Sequence, residues 1–257
     1  MINYRDQLYA FSYDVKAERY DPVFDCWSTL DHLELPAEIP AGFTLVRGEI
    51  YFIEVNTSSE KSTIKRFNVE RCLWQTVSSS QEGCRVGSCV VAAGNHLYVC
   101  GGWLEDDCVS KVERFDTVEN KWEEIANMQQ ERGNAFGVAT EGKIFVAGGR
   151  DDWESYLKTC EMFHISTNEW QLIGNLTVDR LCGSMICLKG TLYVLGGTHD
   201  DKESPLIVEC YDPTEDRWIK KTTIPVEMTS RDNKDTFSGC VLKLSKGVLD
   251  KLDVIKE

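Results

Sequence analysis

The sequence predicts an all-β chain built from a tandem repeat of four-stranded antiparallel units, and three observations carry that prediction. Five tryptophans, Trp27, Trp74, Trp122, Trp170 and Trp218, are separated by 47, 48, 48 and 48 residues, a period at which one supersecondary unit recurs. Seven residues ahead of each stands an aromatic side chain, Tyr20, Phe67, Phe115, Phe163 or Tyr211, followed by Asp21, Asn68, Asp116, His164 or Asp212. Before the last three tryptophans, the glycine pairs Gly101-Gly102, Gly148-Gly149 and Gly196-Gly197 each close a run of strand type: HLYVCGG, KIFVAGG and TLYVLGG.

Taken in order, the first unit (residues 1–35) starts at Gln7 with LYAFSYD, which fits a second strand, so its innermost strand is expected to come from elsewhere. The second unit (41–80) is degenerate: Ile53-Glu54 stands where a glycine pair belongs, just as Ser12-Tyr13 does in the first, and Lys65 replaces the glutamate found nine residues before the other tryptophans as Glu18, Glu113, Glu161 and Glu209. The third (85–130), fourth (132–178) and fifth (180–226) each hold two short apolar runs joined by a glycine turn, SCVVAAGNHLYV, FGVATEGKIFV and SMICLKGTLYVL. Such runs read as antiparallel hairpins forming the two inner strands. Glycine pairs at the exit of a crowded sheet suit positive φ or a close backbone neighbour. FSGCVLKL, inside residues 236–245, fits a closing innermost strand, and 246–257, KGVLDKLDVIKE, reads as a charged tail or a worn strand.

Gly-Gly, Glu-x-aromatic-Asp and Trp in fixed phase resemble the kelch repeat, and the resemblance covers nearly the whole chain. It implies a kelch-type β-propeller, residues 1–245, with blades of four antiparallel strands and a ring closed by the C-terminal strand. Five units are recognisable; the related BTB-kelch proteins usually have six blades, which an N-terminal truncation would reconcile with this chain. One blade cannot bury both faces alone, so the units should fold as one cooperative ring. The structural residues are then the glycine pairs and the five tryptophans.

Composition narrows the setting. Hydrophobic residues make up 42% of 257, enough for a continuous core, and no linker tract divides the chain. No run of about 18 apolar residues spans a bilayer, and the start, MINYRDQLYAF, lacks the features of a secretion signal. Eleven cysteines without CxxC spacing are expected to stay reduced, in cytoplasm or nucleus; Cys84, Cys108 and Cys182, near predicted loops, are the candidates for a reactive thiol.

Function is sought in the loops that follow the glycine pairs: WLEDDCVSK, RDDWESYLKT and THDDKESPL. All three carry adjacent aspartates, Asp106-Asp107, Asp151-Asp152 and Asp200-Asp201, with Glu105, Glu154 and Glu203 nearby and the two out-of-phase tryptophans, Trp103 and Trp153, among them. An acidic rim with aromatic anchors is therefore expected. Its natural complement is a basic peptide or a Lys/Arg-rich protein surface. The net charge of −14 disfavours nucleic acid. Arg150 directly follows a glycine pair and is the arginine best placed for the binding mouth. Arg85, Arg132 and Arg180 each precede a glycine pair by sixteen residues; their recurrence in register suggests pairing with a carboxylate or carbonyl of the neighbouring blade.

No cofactor, metal site or catalytic group is expected. His32, His96, His164 and His199 are scattered over different repeat phases, and no GxSxG or HExxH motif occurs. The resemblance to BTB-BACK-kelch proteins implies a non-catalytic module that captures a protein for a cullin-RING ubiquitin ligase, reaching the cullin only through BTB and BACK domains, which this sequence does not contain. Two alternatives stand beside it: a cytoskeletal, actin-binding scaffold and a cysteine-based redox sensor.

Overall fold

The computed structural model describes residues 2–11, 17–30, 39–56, 61–68, 71, 73–79, 85–152, 155–197 and 207–223. The first sheet comprises β1 (Ile2–Tyr4), β2 (Gln7–Phe11), β3 (Ala17–Asp21) and β4 (Cys26–Thr29), and the second β5 (Ile39–Val46), β6 (Glu49–Asn56), β7 (Lys61–Asn68) and β8 (Leu73–Ser79). The third unit opens with the short β9 (Arg85–Val86), then β10 (Cys89–Ala93), β11 (His96–Cys100), β12 (Trp103–Leu104), β13 (Asp107–Cys108), β14 (Val112–Asp116) and β15 (Lys121–Glu124). The fourth sheet is β16 (Phe136–Thr140), β17 (Lys143–Ala147), β18 (Cys160–His164) and β19 (Glu169–Ile173); the fifth is β20 (Ser184–Leu188), β21 (Thr191–Leu195), β22 (Ile207–Asp212) and β23 (Arg217–Thr223). Every sheet is an antiparallel meander, and the first strands pack on one another in succession: β1 on β5, β5 on β10, β10 on β16, β16 on β20. This is propeller architecture, with the first strand of each blade innermost.

Strand alternation explains why the inner strands are apolar on both faces. In β11, Leu97 and Val99 join a cluster with Tyr51, Ile53 and Ile64 of the second sheet, whereas Tyr98 and Cys100 join one with Ile144, Val146 and Phe163 of the fourth. The seven-residue offset between aromatic and tryptophan is a register: Tyr20, Phe67, Phe115, Phe163 and Tyr211 lie directly opposite Trp27, Trp74, Trp122, Trp170 and Trp218 across the third and fourth strands. Ring centroids in these pairs are 5.0 to 5.3 Å apart, within the range of favourable aromatic contact. The residue after the aromatic shapes the intervening turn. Asp116 Oδ1 accepts from the N–H groups of Val118 (2.7 Å) and Glu119 (3.0 Å), and Asp21 and Asp212 accept similarly from Val23 and Thr214, the Asx geometry that makes this residue type recur.

Trp74, Trp122, Trp170 and Trp218 each face the preceding sheet. Trp170 donates its indole N–H to the Ala126 carbonyl at 2.8 Å, and Trp218 packs with Phe145 and Ile173. In the first sheet Trp27 is 48% exposed among the described residues, against 9% for Trp170 and 4% for Trp218.

One expectation is corrected. The first unit does not lack its innermost strand: Ile2–Tyr4 pairs with Gln7–Tyr9 through a two-residue turn. Three residues are too few to show alternation, and the turn places Arg5 (φ 48°) and Asp6 (φ 64°) where glycine would have signalled it. The expected closing strand 236–245 and tail 246–257 lie outside the described residues.

Candidate functional site: the rim beyond the glycine pairs

The glycine pairs mark the rim. Both members of each pair have positive φ, 63° and 100° at Gly101-Gly102 and 62° and 98° at Gly148-Gly149. Gly102 N–H donates to the Arg132 carbonyl at 3.0 Å and Gly149 N–H to the Arg180 carbonyl at 2.9 Å, so these two pairs are stitched to the arginine that opens the next unit. A Cβ on Gly148 would stand 2.3 Å from the Arg180 oxygen. Close approach and a left-handed backbone thus both require the absent side chain.

Those arginines are structural. Arg132, with no exposed surface, donates through Nη1 to the carbonyls of Gly148 (2.8 Å) and Thr159 (3.1 Å) and through Nη2 to Glu161 (2.8 Å). Arg180 repeats the arrangement on the carbonyls of Gly196 and Ile207 and on Glu209, and Arg85 on Lys111 and Glu113. The carboxylate partner is the glutamate nine residues before the tryptophan of the arginine's own unit, not of the neighbouring blade as expected. The glutamate does reach back to the preceding unit: Glu161 accepts from the N–H groups of Gln129 (2.6 Å) and Gln130 (3.2 Å). In the second unit the charges are inverted. Lys65 replaces the glutamate and pairs at 2.7 Å with Glu54, which occupies the missing glycine position.

Beyond the glycine pair, the third unit's loop is a folded hairpin. β12 pairs with β13 on one side and with β9 on the other, so Trp103 lies opposite Val86 and Cys108. At the tip Glu105 takes a left-handed φ of 54°, and Glu105, Asp106 and Asp107 are all exposed. Trp103 is half-buried rather than projecting. Its indole abuts Gly133, where a Cβ would come within 2.0 Å of Nε1, and the Arg150 guanidinium sits 4.9 Å above its ring, a cation–π contact.

The fourth unit's loop locks onto this hairpin. Arg150 exchanges backbone hydrogen bonds with Gly133 at 2.8 and 2.9 Å. Exposed Asp152 accepts from the Cys108 N–H, and the Cys108 thiol donates to the Arg150 carbonyl at 3.4 Å. Asp151 serves its own turn, accepting from Ser155 N–H at 3.0 Å. The structure therefore brings Trp103, Glu105, Asp106, Asp107, Arg150, Asp151 and Asp152 together along one rim. Trp103, Asp151 and Asp152 are scaffold there, while Glu105, Asp106, Asp107 and Arg150 form the charged surface. Trp153, Glu154, Asp200, Asp201 and Glu203 lie outside the described residues.

A backbone ladder runs under the rim. Asn134 N–H donates to the Gly87 carbonyl (2.7 Å) and Cys182 N–H to the Asn134 carbonyl (2.9 Å), linking three successive units two residues past their arginines. All three residues are left-handed, with φ of 67°, 54° and 53°; Asn and Cys at such positions leave no glycine signal in a sequence. Cys108 does not have the environment of a redox sensor. It is buried, and burial together with the nearby Asp152 pushes its thiol up to about 12, whereas reactive thiols are depressed and accessible. Cys84 lies outside the described residues.

With the geometry established, comparison with known proteins places the fold. The Kelch motif matches residues 84–129, 131–177 and 179–223. The chain belongs to the kelch-repeat family. Its relatives include Kelch repeat and BTB domain-containing protein 1 of Cowpox virus (strain Brighton Red), 27% identical over 138 residues, and Kelch-like protein 23 of Pongo abelii, 28% identical over 138 residues. Each of these matches covers 52% of this chain and 24% of the relative, so the alignment spans about a quarter of the relatives' own length. Among solved structures the kelch propeller is similar to one described as the structure of YjhT, with a TM-score of 0.71 and 14% identity over 86% of this chain and 82% of that one. That likeness concerns the fold alone.

Proposed function

We propose that this kelch propeller is a non-catalytic receptor for a protein partner, and that the partner docks on the rim carrying Glu105, Asp106, Asp107 and Arg150. The observation that carries the reading is the preorganised hairpin. Three exposed carboxylates ride on a loop held rigid by β9, by the packing of Trp103 on Gly133 and by the hydrogen bond from Cys108 to Asp152. Rigid elements lose little entropy on binding, and a loop that only kept the protein soluble would not need three separate restraints. The kelch fold generally serves protein interaction, in keeping with this role. The charge pattern suits a basic segment, with Arg150 taking an acidic group of the same partner, and association should weaken as salt rises.

The finer reading, substrate recognition for a cullin-RING ubiquitin ligase, rests on the similarity to proteins named for both kelch and BTB domains. Recruitment of the ligase would then require BTB and BACK domains in the same assembly. A photo-crosslinking residue placed at Asp106, with a matched one at Lys189 on the opposite rim, tests the docking face in cell lysate. Crosslinks from position 106 alone support the reading, and crosslinks from position 189 alone move the site to the other face. Ubiquitination of the captured protein that depends on the propeller would support the adaptor role; ubiquitination indifferent to it would reject that role.

A further inference from the structure

The turn ends of the first and second sheets, at the opposite end of the strands from the glycine pairs, frame a solvent-open cavity of about 800 Å³ whose lining includes Tyr4, Arg5, Arg47, Tyr51, Arg66 and Thr117. We propose that this cavity is an anion site that takes a phosphomonoester carried on an organic group.

Its lining holds three arginines and one carboxylate, that of Glu49, a local preponderance of basic side chains in a chain whose net charge is −14. The sequence pattern does not call for this preponderance. Arg5 and Arg47 occupy the same position of successive two-residue turns, the first turn residue, where the fourth and fifth sheets have Glu141 and Lys189. Two of the three guanidinium groups are held in place. Arg5 lies 5.1 Å over the Tyr4 ring, and Arg66 binds Glu49 at 3.2 Å and Gln75 at 2.7 Å. Arg47 is exposed on its turn and completes the set.

Guanidinium forks match the oxygens of phosphoryl groups and carry their charge at any physiological pH. Arginines gathered into one cavity suit a compact dianion. A run of carboxylates would need a stripe of positive charge, and an extended acidic chain would meet the repulsion of the whole molecule. The volume is in the range of small-molecule sites and larger than a phosphoryl group alone fills, so the rings of Tyr4 and Tyr51 are available as walls for the organic part. A small free ester and a phosphorylated tyrosine side chain share this chemistry.

Calorimetric titration of the full chain with phenyl phosphate, with the tripeptide Ala-phosphotyrosine-Ala and with benzoate as a monoanion tests the assignment. Saturable binding of the phosphomonoesters is expected, with benzoate at least about ten-fold weaker. Arg47→Asp reverses the charge while tolerating the left-handed turn; it should weaken the phosphomonoesters at least about ten-fold and leave the melting temperature of the unliganded protein unchanged. Tighter binding of the tripeptide than of phenyl phosphate would identify a phosphorylated side chain as the source, and equal or weaker binding a small ester. Absence of saturable binding by wild type up to about 10 mM, or a loss under about three-fold in the variant, would overturn the proposal.

Discussion

Replacing Arg132 with methionine probes the feature on which each complete unit depends. The substitution keeps much of the side chain's length and apolar stem but removes the guanidinium. Glu161, with no exposed surface, then loses its charge partner, and the carbonyls of Gly148 and Thr159 lose a donor. Breaking a buried pair from one side costs about 3–5 kcal/mol, and for a domain of this size each kcal/mol moves Tm by about 2–4 °C, so a fall of roughly 6–20 °C is expected. Glu161→Gln should cost less, because the amide oxygen can still accept from Gln129 or Gln130. The surface pair Arg114–Glu123, with side chains 31% and 46% exposed, supplies the control: Arg114→Met should cost no more than about 1 kcal/mol. Urea unfolding of both single variants and of Arg132→Met with Glu161→Gln closes a double-mutant cycle. Equal losses from Arg132→Met and Arg114→Met, or no coupling between Arg132 and Glu161, would refute the reasoning.

Three further predictions follow from packing and electrostatics. Trp218→Ala should destabilise by about 3–5 kcal/mol through the cavity it opens against the fourth sheet, while Trp27→Ala, at a half-exposed position, should cost about 1–2 kcal/mol; denaturant midpoints that rank the two the other way would refute the packing account. The turn carboxyls of Asp116 and Asp216 are held below their usual range, Asp116 mainly by the Glu119 and Val118 N–H groups and Asp216 by the Tyr211 hydroxyl and then the Gly174 N–H. A depressed folded pKa contributes stability that is present above the unfolded value of about 3.9 and lost as pH falls through the folded one, so the melting temperatures of wild type and of Asp116→Asn with Asp216→Asn should differ at pH 6 and converge below about pH 3; a gap that widens in acid would contradict the sign. Burial pushes the thiols of Cys89, Cys108 and Cys160 up to about 12, so maleimide should modify exposed Cys26 well before any of them, and early labelling of Cys108 would revive a redox role.

How far the sequence was legible depended on whether a residue's role is local. The tryptophans, their aromatic partners and the turn aspartates act across one hairpin at a fixed offset, so a linear pattern records them. The glycine pairs are equally legible, since positive φ at two consecutive residues admits few substitutes. Arg132 recurs in register, yet its partner could not be read from spacing, because 29 residues separate it from Glu161 and only the meander brings them together. Glu54 with Lys65 shows the same limit: the unit looks degenerate until the structure reveals an inverted pair. On the rim, the clustering of charge was visible, but the division of labour was not. Trp103 reads as an exposed anchor from its place in a loop, whereas Gly133, thirty residues on, admits it to a half-buried seat beneath Arg150.

The most direct test of the central claim compares capture by two baits from one lysate, wild type and a variant carrying Glu105→Gln, Asp106→Asn, Asp107→Asn and Arg150→Ala, with Trp103 and Asp152 kept so that the loops stay in place. The account predicts a fall in melting temperature of no more than about 2–4 °C, since Glu105, Asp106 and Asp107 are exposed and Arg150 contributes a cation–π contact, and a protein partner retained by wild type and lost by the variant. The same partner retained by both baits would contradict a binding role for this rim.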